Sequence, residues 1–135
     1  MENHVIICGY GKMGSYISDM LLSYNIKHIV IENDPNKEPV MKDKGLSYII
    51  DDATKSTVLK KAEIDKASAI VIVTGDNAKN LFIIITARSI SKDIYILSKA
   101  TDSFTKEKFI EAGANYIVTP ELSAADEILK ELKLK

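Results

Sequence analysis

Three glycines follow the first apolar run of the chain with the spacing G-x-G-x-x-G, at Gly9, Gly11 and Gly14. The run before them, residues 4–8, is too short for a helix of its own and predicts a strand buried on both faces. In a strand–turn–helix unit the first glycine forms the tight turn, the second lets the backbone approach a bound group, and the third lets the helix pack closely on the strand. The N–H groups that begin the helix attract an anion. The predicted chemistry is phosphate binding on this turn, and a purely structural glycine turn is the alternative.

A carboxylate lies where the ribose of a nucleotide could be bound. The second predicted strand, residues 28–31, ends at Glu32, which is 18 residues beyond Gly14; the ribose-binding acid of such folds is typically about 20 residues on. Asp34 is a competitor for this role, and a solvated strand end is the alternative for Glu32. Because a carboxylate accepts hydrogen bonds from a ribose 2′-hydroxyl and repels a 2′-phosphate, Glu32 favours NAD(H) or an adenine nucleotide over NADP(H).

The rest of the chain alternates strand and helix. The predicted strands are residues 4–8, 28–31, 46–50, 67–73, 94–97 and 116–118. The predicted helices are residues 15–25, a short one that holds Pro39 in its first turn and ends by Gly45, residues 56–62, one capped by Asp76 or Asn77 and ending near Ile90, one from Asp102 to Ala112, and residues 121–134. This alternation predicts a single α/β domain over residues 1–135, a Rossmann-type doubly wound sheet of six mainly parallel strands in the order 3-2-1-4-5-6 with helices on both faces.

Ligands of such sheets bind beyond the carboxyl ends of the strands, at the switch point between strands 1 and 4. Polar residues gather at that edge of the predicted sheet. Asp51 to Thr54 follow strand 3, Thr74 and Gly75 follow strand 4, and Ser98 and Lys99 follow strand 5.

Composition narrows the function classes. A chain of 135 residues with 46% hydrophobic and 27% charged residues can bury a core as one domain. The 18 basic and 19 acidic residues give a net charge of −1, so no electrostatic attraction favours nucleic acid. Cys8 is the single cysteine and excludes an internal disulfide; with no signal peptide or long apolar span, the sequence predicts a cytoplasmic location. At the end of a buried strand, Cys8 is expected to pack rather than react.

Several motifs in order carry a family resemblance. They are Val5 to Gly14, Val30-Ile31-Glu32, Asp52-Ala53-Thr54, Val58 to Ala62 with Ile64, Thr74 to Asn77 with Asn80-Leu81, and Ala112-Gly113-Ala114 leading to Thr119-Pro120-Glu121. From His4 to about Leu132 the chain resembles the N-terminal lobe of the domains that regulate the conductance of potassium, the RCK or TrkA-N domains. The resemblance implies a cytosolic ligand sensor that forms dimers and then a gating ring under a potassium channel or transporter at the inner face of the membrane.

The resemblance also implies a nucleotide site, with phosphates on the turn, ribose on Glu32 and adenine beside Asp52. Its implied residues are Gly9, Tyr10, Gly11, Lys12, Met13, Gly14, Glu32, Asn33, Asp52, Ala53, Thr54, Thr74, Gly75 and Lys99. Lys12 and Lys99 match basic positions near the phosphates, and a solvated surface lysine is the alternative for each.

Two departures from the family pattern affect this site. Asp51 stands where many relatives have glycine, which predicts a narrower or more acidic approach to the adenine pocket. Where calcium-gated relatives carry carboxylates, this chain has Thr74, Lys99 and Thr101. A hard divalent cation needs several oxygen ligands and a lysine opposes it, so we expect no metal.

Assembly is indicated by two helices. The last helix carries an apolar stripe that either covers its own sheet or, as in the resembling family, crosses to a partner subunit; the stripe consists of Leu122, Ala125, Ile128, Leu129 and Leu132. The helix around residues 79–90 is apolar on most sides and is expected to be buried between the sheet and something else. A homodimer or larger ring is therefore expected.

The rival hypotheses are a small NAD-dependent oxidoreductase and an interaction module without nucleotide affinity. An oxidoreductase needs a general acid or base near the cofactor. The two histidines, His4 and His28, begin strands 1 and 2 at the opposite end of the sheet, where we expect surface or edge positions. Tyr10 is one tyrosine in a phosphate turn, where packing is the commoner role. Enzymatic activity is therefore not expected.

Overall fold

A computed structural model describes residues 1–134 and confirms the predicted sheet. Six strands lie in the order β3-β2-β1-β4-β5-β6, and all five neighbouring pairs are parallel. The strands are β1 (Val5–Cys8), β2 (His28–Glu32), β3 (Ser47–Ile50), β4 (Ala69–Ile72), β5 (Tyr95–Lys99) and β6 (Tyr116–Val118). Because β1 and β4 are neighbours, the chain reverses its direction of winding between them, which creates a crevice at their carboxyl ends.

The helices follow the predicted order. They are α1 (Lys12–Ser23), α2 (Glu38–Asp43), α3 (Ser56–Lys61), α4 (Asn77–Ile90), α5 (Ser103–Glu111) and α6 (Pro120–Glu131), with short 3-10 helices at Pro35–Lys37 and Ile64–Lys66. Helix α1 begins before the predicted residue 15, since the extended Gly11 caps it and Gly14 lies in its first turn. Asp76, not Asn77, caps α4, and Asp102 caps α5 as predicted; each carboxylate accepts a backbone N–H three residues on.

Each face of the sheet has its own hydrophobic core. On one face Ile6 and Ile70 pack with residues of α3, α4 and α5, including Leu59, Ile84 and Phe109. On the other face Ile7 and Val30 pack against α1 and α2, including Ile17, Leu21 and Met41. Helices therefore cover both faces, as predicted for a doubly wound sheet.

The second face is covered less completely over β4, β5 and β6. The strand register continues from Ile7 through Val71 and Leu97 to Tyr116, so these side chains share the α1 face. Three apolar side chains there are exposed: Tyr95 by 48%, Tyr116 by 55% and Val118 by 37%. We call the patch formed by Val71, Tyr95, Leu97, Tyr116 and Val118 the open sheet face.

Two helices expose apolar residues. No residue of α6 is buried; Leu122 and Leu129 are each 42% exposed, and Ile128 and Leu132 each 60%. Helix α6 therefore does not bury its stripe against its own sheet. Helix α4 buries Ile83 and Ile84 in the core, but Phe82 is 62% exposed and Ile85 47% exposed, so the expected cover on its other side stays a prediction. Within residues 1–134, no helix is long and apolar enough to cross a membrane.

The expectation that both histidines take surface or edge positions is wrong, because both rings are buried. His4 is completely buried and His28 is 6% exposed. Nδ1 of His28 donates to the carbonyl of Ile26 at 3.1 Å, and Nε2 accepts from Ser18 Oγ at 2.7 Å; His4 Nε2 donates to the carbonyl of Ala62 at 2.7 Å. These hydrogen bonds engage both ring nitrogens of His28 and one ring nitrogen of His4. Both rings lie at the amino ends of the strands, as predicted.

Candidate functional site

The three glycines of the turn have different surroundings. Gly9 has φ +107°, and a Cβ on Gly14 would lie 1.9 Å from the carbonyl oxygen of Gly9. The predicted close packing of helix on strand at Gly14 is therefore confirmed. A Cβ on Gly11 would meet nothing within 4 Å, so the backbone at Gly11 borders open space into which a bound group fits.

Glu32 ties two turns together. Its Oε1 accepts the backbone N–H of Tyr10 at 2.6 Å, and its Oε2 accepts the backbone N–H of Asp34 at 2.8 Å. The N–H of Tyr10 is thus already used. The donors that the turn can offer to an anion are those at the start of α1, which have no partner within the helix.

A cleft of about 430 Å³ lies beyond the carboxyl ends of the strands, at the switch point between β1 and β4. It brings together residues that are far apart in the sequence. The predicted site residues that line it are Gly9, Gly11, Glu32, Asn33, Asp52, Ala53, Thr74 and Gly75. The cleft therefore joins the glycine turn, the end of β2 and the loops after β3 and β4 in one site.

The other predicted residues lie elsewhere. Lys12, Met13 and Lys99 line an adjoining cleft of about 370 Å³ that shares Gly11 and Gly75 with the first. The side chain of Tyr10 is 4% exposed and packs in the core beneath the turn, in agreement with a packing role. Gly14 lies in the contact between α1 and the turn after β1. Thr54 does not line either cleft but donates its backbone N–H to the carboxylate of Asp52.

The loop after β3 presents two carboxylates to the cleft. Oδ1 of Asp52 accepts the backbone N–H of Thr54 at 2.9 Å and its hydroxyl at 2.7 Å, and these bonds lower the pKa of Asp52. The backbone N–H of Asp52 in turn lowers the pKa of Asp51, to which it donates at 2.7 Å. Both groups are ionised at neutral pH, so this wall is acidic, as expected from the aspartate at position 51.

Sequence reasoning missed two lysines that line the same cleft, Lys37 and Lys79. Lys37 follows β2 in the 3-10 helix, and Lys79 lies in the first turn of α4, three residues after the capping Asp76. The sequence could have indicated them, because both lysines lie within a few residues of the carboxyl end of a strand, where the cleft was expected. They place positive charge within an otherwise acidic cleft.

Asn80 joins the loop after β4 to the end of β5. Its side chain is completely buried. It accepts the hydroxyl of Thr74 and donates to the carbonyls of Thr74 at 3.3 Å and Lys99 at 3.2 Å. The loop after β4 and the end of β5 are therefore held as one unit.

Reactive groups are remote from the cleft or shielded from solvent. Cys8 is fully buried, and burial raises the pKa of its thiol far above the ordinary value. The imidazoles of His4 and His28 are at the other edge of the sheet. Within residues 1–134, no three or more His, Cys, Asp or Glu side chains are grouped so as to hold a metal ion. The groups that face the cleft are suited to binding through hydrogen bonds and charge.

Comparison with known proteins assigns the family. The model of the TrkA-N domain matches residues 5–120. The chain belongs to the TrkA-N domain family. This TrkA-N domain is 38% identical over 132 residues to potassium channel protein 1 of Methanocaldococcus jannaschii, covering 96% of this chain and 40% of that protein. It is 40% identical over 126 residues to the probable potassium channel protein 2 of the same organism, covering 90% and 36%. The domain thus spans about two fifths of the length of these relatives.

Solved structures agree with this assignment. The TrkA-N domain of the inner membrane protein YbaL from Escherichia coli superposes with a TM-score of 0.92 at 25% identity, covering 98% of each chain. The NAD(P)-binding domain of an exopolyphosphatase-related protein from Archaeoglobus fulgidus gives 0.86 at 25% identity, covering 99% and 100%. GsuK bound to ADP gives 0.81 at 29% identity, covering 97% of this chain and 34% of that one. The predicted family resemblance is confirmed.

Proposed function

We propose that this TrkA-N domain is the cytoplasmic ligand-sensing part of a potassium channel or potassium uptake transporter and binds NAD(H) or an adenine nucleotide. One observation carries the proposal: at the switch point of the sheet, the open backbone at Gly11 lies in the same cleft as the carboxylate of Glu32. This arrangement supports the proposal, because the phosphate and the ribose of one nucleotide would bind at the same site. The potassium channel relatives and the ADP complex of GsuK support it.

In this proposal, different residues bind the phosphate, the ribose and the adenine of the nucleotide. Backbone N–H groups of residues 11–13 bind phosphate, with Gly9, Tyr10 and Gly14 shaping the turn. Glu32 accepts ribose hydroxyls with the lone pairs that Tyr10 and Asp34 leave free, and Asn33 lies beside it. The adenine lies by Asp52, Ala53 and Thr54, facing Thr74 and Gly75 across the cleft. Lys12 and Lys99, in the adjoining cleft, add positive charge next to the turn.

The domain binds its nucleotide without converting it. In the proposed pose the cleft offers carboxylates, amide groups and ammonium groups, while both imidazoles lie at the amino ends of β1 and β2. No metal ion takes part. Ligand binding then acts on conformation, which it can do only through different affinities for two arrangements of the assembly.

The assembly is a homodimer or a larger ring next to a pore-forming membrane partner. Two unburied apolar surfaces support it: the stripe of α6 and the open sheet face. Helix α6 of one copy would cover the open sheet face of the other copy, because each face of a mainly parallel sheet is normally buried. Nucleotide bound at the edge of this sheet would then affect the relation between the two copies.

A thermal-shift series tests the binding site. The wild-type chain and Gly11→Ala are compared with NAD, NADH, NADP, ATP, ADP and AMP. Position 11 has φ −80° and free space around a Cβ, so alanine leaves the fold intact while its methyl group obstructs the phosphate. We expect a midpoint that rises with nucleotide concentration in the wild type and much less in the variant, and a ligand-free midpoint of the variant that is no lower than that of the wild type.

Absence of any shift in the wild type would overturn the nucleotide site and favour an interaction module. Following NADH absorbance with the same samples separates a sensor from an oxidoreductase. The sensor leaves the cofactor unchanged.

A further inference from the structure

Helix α6 carries one carboxylate on its apolar side. Residues that are four, seven and eleven positions apart lie along one side of an α-helix. Counted from Glu121, these positions hold Ala125, Ile128 and Leu132, which all belong to the apolar stripe. Glu127, by contrast, lies on the side opposite the stripe. Any contact that buries the stripe of α6 therefore also covers Glu121.

The carboxylate of Glu121 has no partner of its own. It is exposed, and within residues 1–134 it takes part in no ion pair and no hydrogen bond. An acid in the first turn suits the helix dipole, but this effect does not require the apolar side. Because a carboxylate that loses its hydration without a cation is strongly unfavourable, the surface that covers the stripe must supply a positive charge.

The open sheet face ends at such a charge. Lys99 is the last residue of β5, and side-chain alternation places it on the same side of the sheet as Leu97 and Tyr95. In the strand register it lies opposite Val118 of β6. Its ammonium group forms no ion pair in the described part of the chain. The patch that needs a cover thus has an unpaired cation at its carboxyl edge.

A second lysine adds to this charge. Lys12, at the start of α1, lines the adjoining cleft together with Lys99 and is also without an ion pair among residues 1–134. The described residues that complete the lining are uncharged: Gly11, Met13, Tyr16, Val73 and Gly75. The adjoining cleft therefore attracts an acid that this chain does not itself provide there.

We propose that α6 of a second copy lies on the open sheet face with its amino end at the adjoining cleft, where the partner's Glu121 forms an ion pair with Lys99. This inference rests on the homodimer of the proposed function and adds the direction of α6 and the charges that meet. The direction suits the sheet, since a helix that connects two parallel strands runs opposite to both. In a twofold dimer the pair forms twice.

The pair also determines how the two sheets lie. Glu121 is in the first turn of α6, directly after β6, so it lies at the carboxyl edge of its own sheet. Lys99 lies at the same edge of the other sheet. The two carboxyl edges are therefore brought together, and the adjoining cleft beside each glycine turn is completed by the partner subunit.

Charge reversal in mixed chains tests the pair. The two chains Glu121→Lys and Lys99→Glu are prepared without nucleotide. Each homodimer then contains two like-charged contacts, so we expect its dissociation constant to rise about 100-fold over the wild type. A dimer with one chain of each kind has opposite charges at both contacts. After equal mixing, native mass spectrometry should show this mixed dimer well above the half that random pairing gives.

Glu121→Gln and Glu127→Gln form the matched comparison in sedimentation experiments. The first should weaken the dimer about tenfold, and the second should leave it unchanged because Glu127 faces away from the stripe. Circular dichroism of each variant checks that the fold is kept. Random pairing of the mixed chains, or a Glu121→Gln chain that dimerises like the wild type, would overturn the inference alone. A wild type that is monomeric at every concentration would refute the proposed homodimer as well.

Discussion

The backbone N–H of Tyr10 donates to Oε1 of Glu32 at 2.6 Å, and this bond joins the turn after β1 to the end of β2. The second carboxylate oxygen holds the N–H of Asp34. One side chain therefore shapes the proposed phosphate turn and also faces the proposed ribose position. Loss of nucleotide binding on its removal would have two causes, one direct and one through the turn.

Glu32→Ala and Glu32→Gln should show how much these two hydrogen bonds stabilise the fold. The alanine leaves two backbone donors without their charged acceptor, so we expect the free energy of unfolding to fall by about 1–3 kcal/mol. Glutamine keeps one acceptor oxygen but turns an amide donor toward the other N–H, so its loss should be smaller. Urea unfolding of the three chains measures this, and a Glu32→Ala chain as stable as the wild type would show that the two bonds contribute nothing.

Gly14→Ala and Gly11→Ala should have opposite effects on stability. At Gly14 the new Cβ would lie 1.9 Å from the carbonyl oxygen of Gly9, so α1 must move away from β1; we expect a loss of about 3 kcal/mol or more. At Gly11 the Cβ has free space, and a gain of about 0.4–1 kcal/mol is expected from the stiffer unfolded chain. Thermal midpoints without ligand decide the matter, and similar midpoints for both variants would contradict the predicted packing.

The sequence was sufficient for the fold because its signals are local and regular. Apolar runs, helix caps such as Asp102 and the spacing of the glycines depend on neighbours in the chain, and the order of six parallel strands follows from alternation and handedness. The direction of an individual side chain depends on distant neighbours. His4 was misplaced for that reason, since its burial depends on the carbonyl of Ala62, 58 residues away.

The candidate site was predicted in part for the same reason. Glu32 ends β2 and Asp52 follows β3, so their edge of the sheet could be predicted, and the structure places both in one cleft. Whether a side chain on a helix faces the cleft depends on how that helix is rotated against the sheet. Lys79 faces the cleft because Ile83 and Ile84 face the core, and sequence periodicity does not fix that rotation for a helix as apolar as α4.

Arg88→Lys should destabilise the fold although it keeps the charge. The guanidinium of Arg88 donates to an amide oxygen of Asn115 and to four backbone carbonyls, those of Ser91, Lys92, Ile94 and Gly113. A lysine cannot reach them all, so we expect a loss of about 2–4 kcal/mol in the free energy of unfolding. The control is Lys92→Ala, an exposed neighbour, which should stay within about 0.5 kcal/mol of the wild type. Equal stability of Arg88→Lys and the wild type in urea would refute the prediction.

Cys8 should make stability depend on alkaline pH. Burial raises the pKa of its thiol in the folded chain, whereas the unfolded chain releases the proton near the ordinary value of 9.0. The folded state therefore binds more protons above that pH, and the free energy of unfolding falls as the pH rises. The difference between the wild type and Cys8→Ala, measured from pH 8 to 10, isolates this effect from the lysines and tyrosines. Iodoacetamide should label Cys8 only after unfolding, and rapid labelling of the folded chain would contradict its burial.

Helix α6 and the open sheet face should prove to be two sides of one interface between copies. Leu129 is 42% exposed and Tyr116 55% exposed, so a charge at either position leaves the isolated fold intact. In an apolar contact an ionised carboxylate loses its hydration without a partner, which is strongly unfavourable. Leu129→Asp and Tyr116→Asp should therefore each shift the assembly toward monomer in sedimentation experiments, while Glu127→Gln, on the same helix, should not. A wild type that is monomeric at every concentration, or variants that assemble as it does, would exclude this interface.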